Sequence, residues 1–365
     1  MRPTYLEVNL SQLRKNLEAI RTHIAPAKVM PMVKANAYGH GIDGVAPFIE
    51  PYVDYIGVAL VEEGVHLREL GLRKPILVAG ATLPEQIPLF AEYDLTLTGS
   101  SSDLLDIAEE VSRATGIRIK THLKFDTGME RVGVREYEAE PFLLETFSYK
   151  HIDIEGIYTH LANSELADKS YSLMQLERFQ EVLDIYNRHS LPVPSLRHVC
   201  NSGGILNLPE AHFDMVRPGV LFYGVYPGDE VDRVIAVKPA LTWRSRVSYS
   251  KRTRPGRPIS YGSLWQAETE TGIVTIPCGY ADGYFRRMTN QAQVVIHQKK
   301  YTQVGRICMD QFMVNVGDDD ISVGEEVILL GEGITAEDLA QWTGTNEYEV
   351  MTNISARVPR VYVNK

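Results

Sequence analysis

Short apolar runs alternate with amphipathic segments along the chain up to about residue 230. Eight of the runs have the length and composition of buried strands, and they lie at residues 29–33, 55–59, 76–79, 95–98, 117–125, 152–159, 196–200 and 213–216. The clearest helical patterns lie at residues 11–23 and 172–189, where apolar side chains recur every three or four positions. Alternating strands and helices indicate parallel βαβ units. Eight such units predict an α/β fold with a closed, TIM-like (β/α)8 barrel, and a doubly wound open sheet is the alternative.

The pattern changes after about residue 227. Strand-like runs at residues 241–248, 272–276, 292–296, 302–304, 312–316 and 326–330 are separated by Gly, Pro and Asp turns. Two short helices follow, with capping patterns that begin at Thr335 and Asn346. A chain of 365 residues is also longer than one hydrophobic core usually supports. We therefore predict a barrel domain at 1–235 and a mostly β domain at 236–365, which residues 1–10 could join.

Composition excludes several classes of function. Lys and Arg number 37 against 47 Asp and Glu, and this net charge of −10 disfavours a nucleic-acid surface. Cys200, Cys278 and Cys308 follow no metal-ligand spacing, so we predict no metal site. No apolar run approaches the ~20 residues of a membrane span, and the N-terminus has no signal-peptide core, which predicts a cytoplasmic protein without a membrane partner.

Polar residues follow several of the predicted strands, where a barrel places its active site. Lys34 follows the first strand, and the others are Arg131 after the fifth, His160 after the sixth, Asn201 and Ser202 after the seventh, and Arg217 after the eighth. Each residue alone has an ordinary structural interpretation, such as a hydrogen-bonded core histidine or an ion-paired arginine. Their common position relative to the strands predicts one site at one barrel mouth.

Lys34 has two interpretations. A lysine that closes a buried strand can cover apolar surface with its stem and reach water or an acidic partner with its ammonium group. Alternatively, a partly desolvated amine can form a Schiff base with a carbonyl cofactor such as pyridoxal phosphate. Tyr38, four residues further on, could then contact the cofactor phosphate.

Nine sequence blocks resemble the alanine racemase family and run in that family's order. They are VKANAYGHG at 33–41, KFDTGMERVG at 124–133, TH at 159–160, NS at 201–202, VRPG at 216–219, SYG at 260–262, GYADGY at 279–284, GRICMDQ at 305–311 and RVPRVY at 357–362. The resemblance implies a fold-type III, pyridoxal 5'-phosphate-dependent amino-acid racemase that interconverts L- and D-alanine and supplies D-alanine for peptidoglycan. It also implies a homodimer with shared active sites.

The resemblance assigns roles to individual residues. Lys34 would hold the cofactor and act as one base, while Tyr261 of a partner subunit would be the other. Other cofactor contacts would come from Tyr38, Arg131, His160, Asn201, Ser202, Arg217, Gly219, Val220 and Tyr348. Substrate contacts would come from Arg131, Met309, Asp310 and Tyr280. Racemisation needs bases on both faces of a planar carbanion, and an amine opposite a phenol satisfies that need.

Other interpretations stay open at this level. A racemase of serine or of broader specificity would share most of these blocks. A barrel-type amino-acid decarboxylase would be expected to carry an acidic residue at the cofactor's ring nitrogen, where this chain has Arg217. A non-catalytic cofactor-binding barrel would need no second domain. Lys124 matches a position that is carbamylated in some family members, and an ion pair with Asp126 is the alternative for it.

Overall fold

A computed structural model describes residues 2–364. The chain divides into two compact units. The barrel unit comprises Leu13–Ala37 and Ile42–Lys238. The sheet unit comprises the N-terminal residues up to Gln12, the short segment Tyr38–Gly41 and the chain from Pro239 onward.

The barrel unit contains a closed ring of parallel strands. Among the described residues the ring has eight members, which are Lys28–Val29, Ile56–Val58, Ile76–Val78, Leu97–Gly99, Lys120–Asp126, Asp153–Tyr158, Leu196–His198 and Met215–Val216. The eighth strand pairs with the first through Met215 and Lys28, so the ring closes. Single bridges, Met32 with Gly57 and Leu77 with Thr96, join two further strand pairs. Between the seventh and eighth strands the Arg217 N–H donates to the Cys200 carbonyl at 2.9 Å. The predicted (β/α)8 barrel is therefore confirmed, and the doubly wound sheet is excluded.

The first strand is shorter than the predicted run 29–33. Only Lys28–Val29 forms a ladder, and Pro31 has no N–H with which to continue it. Met32 nevertheless bridges to Gly57, and Val33 N–H donates to the Gly57 carbonyl at 2.8 Å. The chain thus stays extended up to Lys34 and delivers that residue to the carboxyl end of the strand.

Helices connect the barrel strands. Their bounds are Leu10–Ile24, Ile42–Ile49, Val61–Glu69, Ile87–Glu92, Ser102–Thr115, Ala139–Thr146, Ser170–Arg188 and Ser202–Asn207, with 3-10 turns at Glu50–Tyr52, Pro84–Gln86, Glu136–Glu138, Pro209–Ala211 and Val220–Tyr223. The predicted helices at 11–23 and 172–189 are confirmed within two residues at each end. Their apolar faces are buried, as the complete burial of Leu17 and Phe179 shows. None of the helices in residues 2–364 is long and apolar enough to cross a membrane.

The sheet unit is built on one large, mostly antiparallel sheet. Its order across the described residues is Tyr249–Thr253, Thr271–Ile276, Phe312–Gly317, Lys299–Val304, Gln293–Ile296, Glu326–Leu330, Leu241–Arg246, Tyr5–Asn9 and Arg360–Val363. Tyr5–Asn9 pairs antiparallel with Leu241–Arg246 and parallel with Arg360–Val363. Smaller elements are the hairpin strands Pro258–Ile259 and Trp265–Gln266, the short strand Val134–Arg135 of the barrel unit, and 3-10 turns at Tyr261–Ser263, Tyr280–Asp282 and Arg286–Met288.

Both predicted C-terminal helices are present, at Ala336–Thr343 and Glu347–Thr352. The Thr335 hydroxyl accepts the Asp338 N–H at 3.2 Å, and the Asn346 side chain accepts the Glu349 N–H at 2.9 Å. These contacts satisfy amide groups that have no acceptor within the helix, as the capping patterns predicted.

Candidate active site

Lys34 opens a turn with an unusual backbone. Ala35, Asn36 and Ala37 have φ values of 52°, 54° and 53°, and Tyr38 follows with 50°. L-residues pay roughly 1–2 kcal/mol each for left-handed helical geometry, so four in succession need local support. Within the barrel unit the Ala35 N–H donates to Glu63 at 2.6 Å, and the Asn36 side chain accepts the Ile42 N–H at 2.8 Å. The turn after the first strand is therefore rigid and left-handed.

The environment of the Lys34 amine favours its neutral form. Burial lowers the pKa of Lys34 and the nearby Arg131 guanidinium lowers it further, while Glu63 opposes both. Within residues 2–364, no carboxylate lies within ion-pair distance of this amine. Lys34 is therefore not an ion-paired lysine within the described residues.

Asp126 fixes the loop that carries Arg131. Its carboxylate accepts the backbone N–H groups of residues 128, 129, 130 and 131 at 2.9, 2.8, 3.0 and 2.9 Å. Although partial burial raises the pKa of Asp126, these four hydrogen bonds lower it below its usual value. The loop after the fifth strand therefore holds a defined shape and presents Arg131 beside Lys34.

Lys124 is a buried cation on the inner side of the fifth strand. Its Nζ lies 4.8 Å from the ring centroid of Tyr158, and it forms no ion pair with Asp126 or another described residue. Burial lowers the pKa of Lys124 to about 7, with the positive charge of Arg217 as the next contribution. The ion-pair alternative for Lys124 is therefore wrong, because Asp126 uses its oxygens on backbone amides.

Almost all N–H groups of Arg217 donate hydrogen bonds within the barrel. Nη1 donates to Nδ1 and to the carbonyl of His198 at 2.8 and 2.9 Å. Nη2 donates to the carbonyls of Thr159 and Val199 at 2.8 and 2.9 Å, and it lies 3.3 Å from Nδ1 of His160. Among the described residues, Nε–H has no acceptor. Burial lowers the pKa of Arg217 to about 10, so the group stays charged with one donor available.

His160 lies among cations rather than acids. Burial lowers its pKa well below the usual value, and the charges of Arg217, Lys124, Arg131 and Lys34 lower it in the same direction. In the described chain none of these four cations forms an ion pair. Charges gathered in this way at a barrel mouth need anionic partners, which a phosphate and a carboxylate would supply.

Ser202 joins two chain segments at the same mouth. Its Oγ accepts the N–H groups of Gly219 and Leu221 at 2.9 and 3.3 Å, so its own hydrogen is left to donate. Short helical segments begin at Ser202 and at Val220, and their first amide groups have no acceptor within the segment. Asn201 caps the first of them by accepting the Gly204 N–H at 3.0 Å. Hydroxyl and amide donors of this kind suit a phosphate group.

The remaining predicted site residues lie in the sheet unit. Tyr38 is buried, its ring centroid lies 6.1 Å from that of Tyr348, and burial raises its pKa. Tyr261 and Met309 are exposed, with 71% and 52% of their surface accessible. Tyr280 is 42% exposed, and its N–H donates to the Cys308 carbonyl at 3.1 Å, which fixes its turn beside Met309.

Asp310, the last of these residues, pairs with Arg357 at 2.8 Å. Ser260 holds the Tyr261 turn in place by donating to the Arg306 carbonyl at 2.6 Å. Hydrogen bonds and ion pairs thus fix the positions of these segments, although the Tyr261 side chain itself extends into solvent.

The sequence did not predict a role for four residues inside the barrel. They are His122, Glu155, Tyr158 and His198, which lie on the fifth, sixth and seventh strands. Tyr158 stacks on His198 with ring centroids 4.6 Å apart. The signal was present as polar residues within otherwise apolar strands, with His122 and Lys124 two positions apart and therefore on one face. Alternation alone did not show that this face points into the barrel.

Comparisons with known proteins agree with this architecture. Residues 8–227 match the alanine racemase N-terminal domain family, and residues 240–362 match its C-terminal domain family. The alanine racemase of Carboxydothermus hydrogenoformans is 43% identical over the full length of both chains. The structure of alanine racemase from Clostridium difficile 630 superposes with a TM-score of 0.95 at 37% identity, covering 100% of this chain and 96% of that one. A Bartonella henselae alanine racemase with covalently bound pyridoxal phosphate gives a TM-score of 0.91 at 26% identity, covering 100% of both chains. The chain therefore belongs to the alanine racemase family.

Proposed function

We propose that this chain interconverts L- and D-alanine with pyridoxal 5'-phosphate as its cofactor. The observation that carries the proposal is the Lys34 amine, which is partly desolvated, has no acidic partner in the described chain and lies among Arg131, Lys124 and Arg217. An amine of lowered pKa is suited both to bond a carbonyl carbon and to accept a proton.

The residues at the barrel mouth fit this cofactor. Lys34 would hold it covalently, and the Nε–H of Arg217 would donate to its ring nitrogen. The Ser202 hydroxyl and the Val220 amide would hold its phosphate, together with Tyr38 and Tyr348. The Gly219 amide, expected at the phosphate as well, donates to Ser202 Oγ here and would position that hydroxyl. Asn201 and His160 would border the ring. When bound, the cofactor withdraws electrons from the substrate Cα and so acidifies the proton there.

Two bases on opposite faces would move the proton. Lys34 would act on one face, where burial and the charge of Arg131 lower its pKa and so increase the fraction of neutral amine. Tyr261 would supply a phenol on the other face. Arg131 would pair with the substrate carboxylate, and Met309, Asp310 and Tyr280 would border the substrate.

Arg217 restricts the reaction type. A guanidinium has no lone pair, so a ring nitrogen that accepts its Nε–H receives a hydrogen bond but no proton. An unprotonated ring nitrogen delocalises less charge, which favours returning the proton to Cα. A decarboxylase would be expected to place a carboxylate here, and this position holds a buried arginine instead.

We further propose a homodimer in which each subunit supplies Tyr261 to its partner's barrel. The support is the exposure of Tyr261, Met309, Tyr280 and Leu264, at 71%, 52%, 42% and 47%, on neighbouring segments of the sheet unit. An exposed apolar and aromatic set of this kind is typical of a surface that another chain covers. The D-alanine product would enter peptidoglycan precursors in the cytoplasm of a bacterial cell.

The direct test is to follow D-enantiomer formation from a panel of L-amino acids with the purified holoenzyme. Alanine should be turned over in both directions, and serine more slowly. Lys34→Ala should abolish activity and the visible absorption band of the bound cofactor. Lys15→Ala, on the exposed side of the first helix, is the matched control and should keep both. A protein that racemises no amino acid, or that keeps the band without Lys34, would contradict the proposal.

A further inference from the structure

A chain of hydrogen bonds leads from Arg217 through the barrel interior to Glu155. Nδ1 of His198 lies 2.8 Å from Nη1 of Arg217, and Nε2 of the same ring lies 2.8 Å from Nδ1 of His122. Nε2 of His122 lies 3.4 Å from a carboxylate oxygen of Glu155. Tyr55 donates its hydroxyl hydrogen to that same oxygen.

The hydrogen bonds in this network all run in one direction, with each donor on the Arg217 side and each acceptor on the Glu155 side. Arg217 can only donate, so Nδ1 of His198 must accept and Nε2 of His198 must carry the hydrogen. That hydrogen makes Nδ1 of His122 an acceptor, and the remaining hydrogen of His122 lies on Nε2, facing Glu155. The direction requires two neutral imidazoles and an accepting oxygen at the far end, which the Glu155 carboxylate supplies. Reversing either imidazole would set two N–H groups against each other.

The surroundings favour those charge states. Burial lowers the pKa of both histidines, and the charge of Arg217 lowers both further. The hydrogen bond and charge of Glu155 raise the pKa of His122, but it stays below its usual value, so each imidazole is neutral near neutral pH. Burial raises the pKa of Glu155, but hydrogen bonds from His122 and Tyr55 and the charge of Lys120 lower it, and the pKa is below the usual value overall. Arg118 lines the same cavity as Glu155 and adds a further positive charge nearby.

Glu155 lies at the end of the barrel opposite to Arg217. It is the third residue of the strand Asp153–Tyr158, whereas Arg217 follows the strand Met215–Val216. Because the strands are parallel, their amino ends gather at one mouth and their carboxyl ends at the other. The Glu155 side chain is 25% exposed and lines a surface cavity with Arg118 and Tyr149. Glu155 is therefore accessible to solvent at this mouth of the barrel.

We propose that Glu155 is a positioning residue for Arg217: its carboxylate accepts the last hydrogen of this network and holds the His122 ring, His122 holds His198, and His198 holds the guanidinium with Nε–H available. This inference rests on the proposed function, in which that hydrogen meets the ring nitrogen of the cofactor. Glu155 touches neither substrate nor cofactor and acts through two imidazoles.

The first test reads the tautomers directly by ¹⁵N NMR of the histidine side chains in the holoenzyme. His198 and His122 should both carry hydrogen on Nε2 and none on Nδ1. Glu155→Leu should change this pattern at His122 by shifting its Nε2–H signal, because that hydrogen loses its acceptor, while Glu155→Gln, which keeps an accepting oxygen, should restore it. An unchanged pattern in Glu155→Leu would overturn the proposal, whether or not the protein racemises alanine.

The second test reads the consequence at the cofactor. Glu155→Leu should shift the visible band of the bound cofactor and lower kcat by about tenfold with little change in KM, a size typical of losing an outer hydrogen-bond partner. Glu155→Gln should recover most of both. Glu140→Leu is the matched control because it removes a carboxylate that contacts His189 at 2.6 Å on the outside of the barrel, and it should change neither.

A third variant keeps the test decisive if Glu155→Leu fails to fold. His122→Phe removes the next link and leaves Glu155 in place, so it should reproduce the spectral shift and the loss of kcat. A wild-type His198 with hydrogen on Nδ1, or a folded His122→Phe variant with the wild-type spectrum, would contradict the inference. A protein with the expected tautomers but without racemase activity would contradict the proposed function instead.

Discussion

The amine of Lys124 lies 4.8 Å from the centre of the Tyr158 ring, and the guanidinium carbon of Arg217 lies 5.2 Å from the centre of the same ring. Two cations therefore share one buried aromatic side chain, without an acidic partner for either in the described residues. The two charges repel each other, and this disfavours the charged form of Lys124, because its amine can lose a proton and the guanidinium cannot. Burial and the charge of Arg217 accordingly lower the pKa of Lys124 to about 7.

Lys124 should react reversibly with carbon dioxide. The resemblance to family members that are carbamylated at this position motivates the prediction, and the neutral amine available above about pH 7 supplies the chemistry. The nitrogen attacks the carbon of CO₂, one proton is released, and the resulting carbamate gives Arg131 and Arg217 an anion. Labelling with ¹³CO₂ should give a carbamate NMR signal that Lys124→Ala removes. Lys120→Ala, which removes a surface lysine paired with Asp94 at 3.0 Å, should keep it. A signal that persists without Lys124 would assign it elsewhere.

Arg131→Gln should shift the acidic limb of the pH–activity profile to higher pH. The Arg131 charge lowers the pKa of Lys34, so its removal lets that pKa rise and leaves less neutral amine at a given pH. KM for alanine should also increase, since the substrate carboxylate loses its partner. Steady-state kinetics over a pH series measure both effects. Arg135→Gln, in the same loop but paired with Glu130, should change neither, and an unshifted limb in Arg131→Gln would argue against coupling of the two side chains.

Asp126→Asn should destabilise the loop after the fifth strand by about 2 kcal/mol, since a charged acceptor of four amides becomes a neutral one. The folded-state pKa of Asp126 is below its unfolded value, so its contribution is present above the unfolded pKa. This contribution disappears as the pH falls through the folded pKa. Wild type and variant should therefore converge in unfolding free energy at low pH. Asp168→Asn, at an exposed carboxylate that accepts one amide, should cost much less.

Ala35→Gly should raise the free energy of unfolding by up to about 1 kcal/mol, because glycine adopts φ near +50° without steric cost. Ala35→Val should lower it, since a branched side chain suits this geometry least. Ala114→Gly, in the exposed part of a right-handed helix, should have the opposite sign and destabilise by about 1 kcal/mol. Denaturant unfolding of the three variants checks the signs, and destabilisation by Ala35→Gly would mean that the turn is unstrained.

Mixing two inactive variants should restore activity if each site combines two subunits. Lys34→Ala and Tyr261→Phe homodimers would each lack one base. Random reassortment makes half of the dimers mixed, each with one intact site of two, so about a quarter of wild-type activity should return. Tyr249→Phe, at another exposed tyrosine, should stay active throughout. No recovery from co-expressed variants would place Lys34 and Tyr261 in the same subunit's site or in no common site.

The sequence predicted most of the barrel because buried parallel strands read as short apolar runs between amphipathic helices. Glu326–Leu330 matches its predicted bounds residue for residue. Tyr249–Thr253 was missed, since four of its five residues are exposed and it carries little apolar signal. Arg360–Val363 was missed for a related reason: it is a short edge strand, and only its long-range pairing with Tyr5–Asn9 identifies it.

The motif residues of the barrel mouth were predicted, and the family they resemble is confirmed. The left-handed geometry of Ala35–Tyr38 was not, because alanine and tyrosine have no preference for positive φ, and contacts with Glu63 and Ile42 impose it. The ion pair considered for Lys124 was wrong because a local sequence does not show that Asp126 folds back onto four backbone amides. The path from Arg217 to Glu155 joins residues far apart in the chain, so only the closed barrel reveals it.

The position of Tyr5–Asn9 between Leu241–Arg246 and Arg360–Val363 has a consequence for biosynthesis. This strand is synthesised before both of its hydrogen-bonding neighbours, and it can meet them only after Leu241–Arg246 and then Arg360–Val363 have been made. Until then its edges are open to foreign strands, a condition that favours aggregation. The barrel strands pair with one another, so the barrel can fold during translation before Tyr5–Asn9 has paired.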